Sequence, residues 1–201
     1  MNTNKASATT TNAHCEPKQC DQAAHREWGH VVHAAVSLID QCEQFVKDVP
    51  ASVYATESVV MPGGTVGKHL RHLVDHYEAI IRAMGCAGTS DEVVDYDHRE
   101  REVPMENSRE DALRGLETLR TKVNNLRDHQ PHRAMQVRVM ISGAGHEATL
   151  MSSLARELAF ATHHGVHHQA MMRAIAGEFG VEAAQDFGKA PSTINHESAK
   201  R

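Results

Sequence analysis

In two places this chain sets histidines about one helical turn apart among apolar residues that recur at helical spacing. They are Gly67-Lys68-His69-Leu70-Arg71-His72-Leu73-Val74-Asp75-His76 and His163-His164-Gly165-Val166-His167-His168. An imidazole that a helix turns toward a core costs free energy unless something there pairs with it. A fold that accepts both stretches must be helical at each and must bring partners to the inward-facing nitrogens. The chain holds 16 histidines in all, so it is their placement in these two stretches that constrains the fold.

The rest of the sequence supplies helices to pack against these two. Trp28, Val31, Val32, Ala35, Val36, Ile39 and Val46 predict a first helix from about Ala24 to Val49, stopped by Pro50. The Met61-Pro62-Gly63-Gly64 break precedes a second, from about Val66 to Met84, with Thr65 as its N-cap and Gly85 as its stop. Residues 86 to 107 read as a charged connection too polar to be buried. Ser108 and Asp111 resemble a capping box that opens a third helix through Leu113, Leu116, Leu119, Val123 and Leu126. Gln136 to Ser142 then alternates, and Gly143-Ala144-Gly145 turns the chain back, which predicts a small β-hairpin between helices three and four. A last long helix runs from about Ser153 to Glu178, and Phe187-Gly188-Lys189-Ala190-Pro191-Ser192-Thr193 opens a C-terminal loop. The expected fold is all-α, a four-helix bundle with that hairpin. It occupies residues 23–195 as a single metal-binding domain, after a disordered leader over 1–22 and before a tail over 196–201.

Charge and length exclude several functions. The 201 residues suit one domain, and a net charge of −5 with dispersed Lys and Arg argues against a nucleic-acid partner. No apolar run reaches the length of a membrane span, and the first residues lack the apolar segment of a secretory signal, so the expected location is cytoplasmic. Cys15, Cys20, Cys42 and Cys86 show no disulfide framework and read as reduced thiols. Gly143-Ala144-Gly145-His146-Glu147-Ala148 formally matches a dinucleotide fingerprint. That motif works only inside a parallel β-α-β unit, and no partner strands are visible.

At about 100° per residue, His164 and His168 share one side of the last helix with Ala161, Met172 and Ile175. Glu157 lies on the same stripe, while His163 and His167 fall at its margin or outside. On the second helix His69, His72 and His76 all flank the apolar face, His69 and His76 nearest its centre. Asp75 lies further out and suits a salt bridge or the support of a ligand better than direct ligation. Two helices thereby offer neutral nitrogen donors to one internal point, the i, i+4 spacing that a helical metal grip requires.

The stretch Gly67 to Glu78, the segment Tyr96-Asp97-His98-Arg99-Glu100-Arg101, the helix Arg156 to Arg173 and the run FGKAPST resemble the DinB/YfiT-like superfamily. The resemblance covers about residues 25 to 195. It implies a four-helix bundle, often dimeric, in which three histidines hold a zinc, nickel or iron ion open to solvent or substrate. Carried onto this sequence, that pattern makes His72, five residues after Gly67, the helix-two ligand, and His164 and His168 the other two. The face geometry favours His69 or His76 instead, but a metal need not sit at the centre of a stripe, so His72 is the expected helix-two ligand and His76 the first alternative. His69, His76 and His167 leave room for a fourth ligand or for support of the ligating rings.

Such an ion, held by three neutral imidazoles, keeps its charge and an open position, so a bound water or thiol loses its proton near neutral pH. Superfamily relatives include thiol transferases, a thiol-dependent isomerase and the thiol-binding domain of ergothioneine synthesis. The expected function is therefore a metal-dependent transferase or hydrolase of a small molecule, with a low-molecular-weight thiol as a second cofactor. Glu157 is expected to orient a ligand imidazole or accept a proton, and Arg99 and Arg101 to hold an anionic substrate. The alternative is a non-catalytic metal-binding or stress-response bundle whose extra histidines close the coordination shell.

Overall fold

The computed structural model describes residues 17–85, 93–98 and 103–200. Within them the helices are α1 (Pro17–Asp48), α2 (Ala51–Tyr54), α3 (Val66–Gly85), α4 (Arg109–Asn125), α5 (Leu154–Glu178) and α6 (Pro191–Ser198). Strand β1 (Val93–Asp95) lies between α3 and α4 in sequence, and β2 (Ala134–Met140) and β3 (Glu147–Ser153) lie between α4 and α5. The fold is mostly helical, with one small three-stranded sheet in the order β1-β2-β3.

The four long helices bury their apolar stripes against one another: α3 packs on α5 and α4, and α1 on α4 and α5. Trp28, Val32 and Ile39 of α1 meet Leu70, Leu73, Tyr77 and Ile80 of α3 in one core with Leu116, Leu119, Leu154, Leu158, Met172 and Ile175. Its few polar tips are paired, as burial demands. Trp28 Nε1–H donates to the Leu126 carbonyl at 3.2 Å, and Tyr77 O–H to Thr162 Oγ1 at 3.2 Å, which ties α3 to α5. Helix starts follow the side-chain caps: Thr65 Oγ1 accepts from Lys68 N at 3.0 Å and Ser108 Oγ from Asp111 N at 3.1 Å. Ser153 Oγ accepts from Arg156 N at 3.4 Å, so β3 passes directly into α5.

Three expectations change. Helix α1 starts at Pro17, ahead of Ala24 and inside the stretch read as a leader. Proline suits the first helical position, but the residues after it carry no apolar stripe for periodicity to detect. The charged connection contains β1, which pairs in parallel with β2 through Val93↔Gln136, Val94↔Val137 and Asp95↔Arg138, and Val94 is fully buried. Lastly, residues 191–198 form α6 rather than a loop. No residue of α6 is buried, so hydrophobic pattern could not announce it.

The hairpin is as expected and slightly longer, in antiparallel register from Ala134↔Ser153 to Met140↔Glu147. Gly143-Ala144-Gly145 forms its turn, where Gly145 takes φ +84° and Ile141 N donates to the His146 carbonyl at 2.8 Å. Because a strand follows and not a helix, the fingerprint presents no helix N-terminus to a phosphate. Among the described residues no helix is long and apolar enough to cross a membrane.

Candidate metal centre

Helix α3 turns His69, His72 and His76 toward α5, which answers with His164 and His168. Gly165, between the α5 histidines, lets α5 sit close against α1: a β-carbon there would lie 3.0 Å from Leu38 of α1, while Leu73 of α3 would be in ordinary contact at 3.5 Å. Three ring nitrogens meet in the gap. His164 Nε2 lies 3.2 Å from His72 Nε2 and 3.0 Å from His168 Nε2. One nitrogen from each of these three residues falls within 4.8 Å of the other two, close enough to touch a common atom.

The donor set fits a cation. A neutral imidazole nitrogen carries either one proton or one lone pair, so His164 Nε2 cannot make two good hydrogen bonds as a donor to its neighbours. Three lone pairs aimed at one positive ion satisfy all three nitrogens together. His164 and His168, with His76 beside them, are also kept neutral, which is the ligating form. Burial, then repulsion from His164 and His69, lowers His168 to about 3. Burial, then repulsion from His76 and His167, lowers His164 to about 4. His76 is likewise lowered to about 4, chiefly by burial.

The remaining histidines stand around this trio. His69 Nδ1 lies 3.1 Å from His168 Nδ1, on the far side of the His168 ring from the shared point. His76 Nδ1–H donates to the His72 carbonyl at 2.9 Å, and its ring stacks on Tyr96 at 4.7 Å between centroids. Phe160 stacks on His164 at 5.8 Å. His167 is exposed and contributes no nitrogen to the trio, although its ring lies 5.4 Å from that of His168. Beside His72 and His168 a cleft of about 450 Å³ opens, with Met61, Gly64, Lys68 and His69 on its other walls.

The two acidic candidates are placed away from direct ligation. Asp75 pairs with Arg71 at 2.7 Å, and burial raises its carboxyl to about 6 against the opposing pull of Arg71. Glu157 is fully buried and accepts from Tyr96 O–H at 2.6 Å, from Arg156 at 2.8 Å and from Ser152. Among the described residues none of its partners is an imidazole, so it does not orient a ligand directly. Its partners pack on the rings around the trio instead: Tyr96 covers His76, and Arg156 lies over Phe160, which stacks on His164. Arg99 and Arg101 lie outside the described residues.

Sequence reasoning gave Tyr96 no role of its own. The signal was present: an aromatic residue beside Val93-Val94 in an otherwise charged run is a reason to expect burial. Lys68 was missed for a simpler reason, since one exposed lysine on a helix is ordinary until a cleft is seen next to it.

The sequence profile of the DinB family matches residues 21–193. FK506-binding protein 5 of Rhizopus delemar is 30% identical over 109 residues, which are 52% of this chain and 27% of that protein. The chain thus spans well under half the length of that relative. No solved structure matches the chain.

Proposed function

The chain belongs to the DinB family, and on that premise we propose that His72, His164 and His168 hold one divalent ion, zinc, nickel or iron, in a four-helix bundle. The bundle is read as a metal-dependent transferase or hydrolase of a small molecule, acting as a homodimer and using a low-molecular-weight thiol. The observation that carries the reading is the convergence of one ring nitrogen from each of these residues within 4.8 Å of the other two.

When bound, the ion supplies a Lewis acid that eases the deprotonation of a water or thiol near neutral pH. The chain's own residues do the rest. His69 fixes the ring of His168 at Nδ1, as partners of ligating imidazoles do. Phe160 and the Tyr96–His76 stack cover one flank of the trio with aromatic surface, which keeps water from that side. The cleft beside His72 and His168 leaves the other flank for a small molecule.

That open flank separates an enzyme from a storage or stress-response bundle, because among the described residues three protein ligands are drawn together where a closed site takes four. X-ray absorption of the metal-loaded protein tests it. The expected shell is three imidazole nitrogens plus at least one light ligand that added thiol replaces. A shell of four or more protein ligands, unmoved by thiol, contradicts the enzymatic reading.

A further inference from the structure

The contact between His69 and His168 has a direction. Their Nδ1 atoms lie 3.1 Å apart, and in a hydrogen bond one must donate and the other accept. When His168 presents its Nε2 lone pair to a cation, its ring proton sits on Nδ1, so His69 accepts at Nδ1 and carries its own proton on Nε2. His69 Nε2 lies beside the Gly63-Gly64 turn, where a β-carbon on Gly64 would come within 3.2 Å of it. The same turn walls the cleft that reaches His72 and His168.

Lys68 stands at the rim of this cleft. Its ammonium donates one N–H to the Gly63 carbonyl at 2.9 Å and keeps two more for a ligand. Among the described residues no acidic side chain lines the cleft. Its polar side chains are one ammonium and three imidazoles, in a protein whose net charge is −5. A neutral or cationic ligand would leave the ammonium and the Nε2–H of His69 without an anionic partner.

Resting on the metal reading above, we propose that the substrate carries a carboxylate, bound at the cleft by His69 Nε2–H and Lys68 Nζ while its reacting end faces His72 and His168. Two donors match the two oxygens of a carboxylate, whereas a phosphate presents three. His69 is then both a positioning residue for His168 and a donor to substrate, and filling the metal site sets the direction in which it donates.

The test uses the full chain loaded with zinc or cobalt. Long-range ¹H–¹⁵N spectra of the zinc form should show His69 protonated at Nε2. In the cobalt form, the visible absorption is titrated with 3-mercaptopropionate and with its neutral amide, two thiols of equal size. The wild type should bind the carboxylate about tenfold more tightly than the amide. Lys68→Met should lose that preference and keep full cobalt uptake. His69→Ala should lose it too and bind cobalt about 10- to 100-fold more weakly. His69→Gln, whose side-chain oxygen can accept from His168, should recover the metal affinity. A His69 protonated at Nδ1, equal binding of the two thiols by the wild type, or a preference that survives Lys68→Met overturns the proposal. Failure of the wild type to take up cobalt overturns the metal reading itself, and this inference with it.

Discussion

A β-carbon on Gly67 would lie 2.1 Å from the carbonyl oxygen of Glu106, backbone against backbone, with no flexible side chain to give way. Gly67→Ala must therefore shift the start of α3 or the turn at Pro104–Glu106, at a cost of about 1–3 kcal/mol. Urea denaturation should show that loss, and an unchanged midpoint would mean that α3 is seated differently. Tyr96 offers the complementary test. Tyr96→Phe keeps the ring over His76 and removes the hydroxyl that donates to the fully buried Glu157. Removing one donor from a buried carboxylate should cost about 1–3 kcal/mol. Metal stoichiometry should stay the same, because the ring that packs on His76 and Phe160 is kept and the lost hydroxyl bonds Glu157, not a histidine. A Tyr96→Phe protein that is as stable as the wild type but has lost its metal would reverse those roles.

The long helices were legible from their apolar stripes, and the starts of α3 and α4 from a capping side chain as well. Thr65 and Ser108 cap where the sequence places them, and Ser153, read as the first residue of the last helix, is its cap. Ser108→Ala should cost about 1 kcal/mol by equilibrium denaturation, and no loss would show that the cap contributes nothing. What escaped was set by tertiary partners. Val93–Asp95 becomes a strand only because β2 offers it an edge, and α6 has no buried face to betray it. Among the α3 histidines the family pattern points to His72, whereas the face calculation alone points to His69 or His76. A face calculation finds the centre of the apolar stripe, whereas the shared point lies off that centre, in the gap with α5. His72 meets His164 there at 3.2 Å, and His69 is turned to the opposite edge of the His168 ring. Glu157 was correctly placed on the buried stripe, but its partners are Tyr96, Ser152 and Arg156, two of which come from outside α5.

At the scale of the whole molecule, a cluster of buried neutral imidazoles makes the metal-free protein sensitive to acid. Unfolded histidines take up protons near pH 6.5, while His76 and His164 do so only at about 4 and His168 at about 3 in the folded chain. The unfolded state therefore binds more protons in that interval. Stability should be full above about pH 6.5 and fall as the pH drops toward 4. Urea midpoints of chelator-treated protein at pH 7.5 and pH 5 check the sign, and a midpoint that rises toward pH 5 contradicts it. An ion that binds the folded chain alone should also raise the melting temperature in proportion to the logarithm of its concentration. The central claim is tested most directly by elemental analysis of untagged protein, wild type beside His72→Ala, His164→Ala and His168→Ala, with circular dichroism to verify that each variant is folded. The account predicts close to one metal ion per wild-type chain and its loss from all three variants. Folded variants that keep the ion, or a wild type that never holds one, would contradict it.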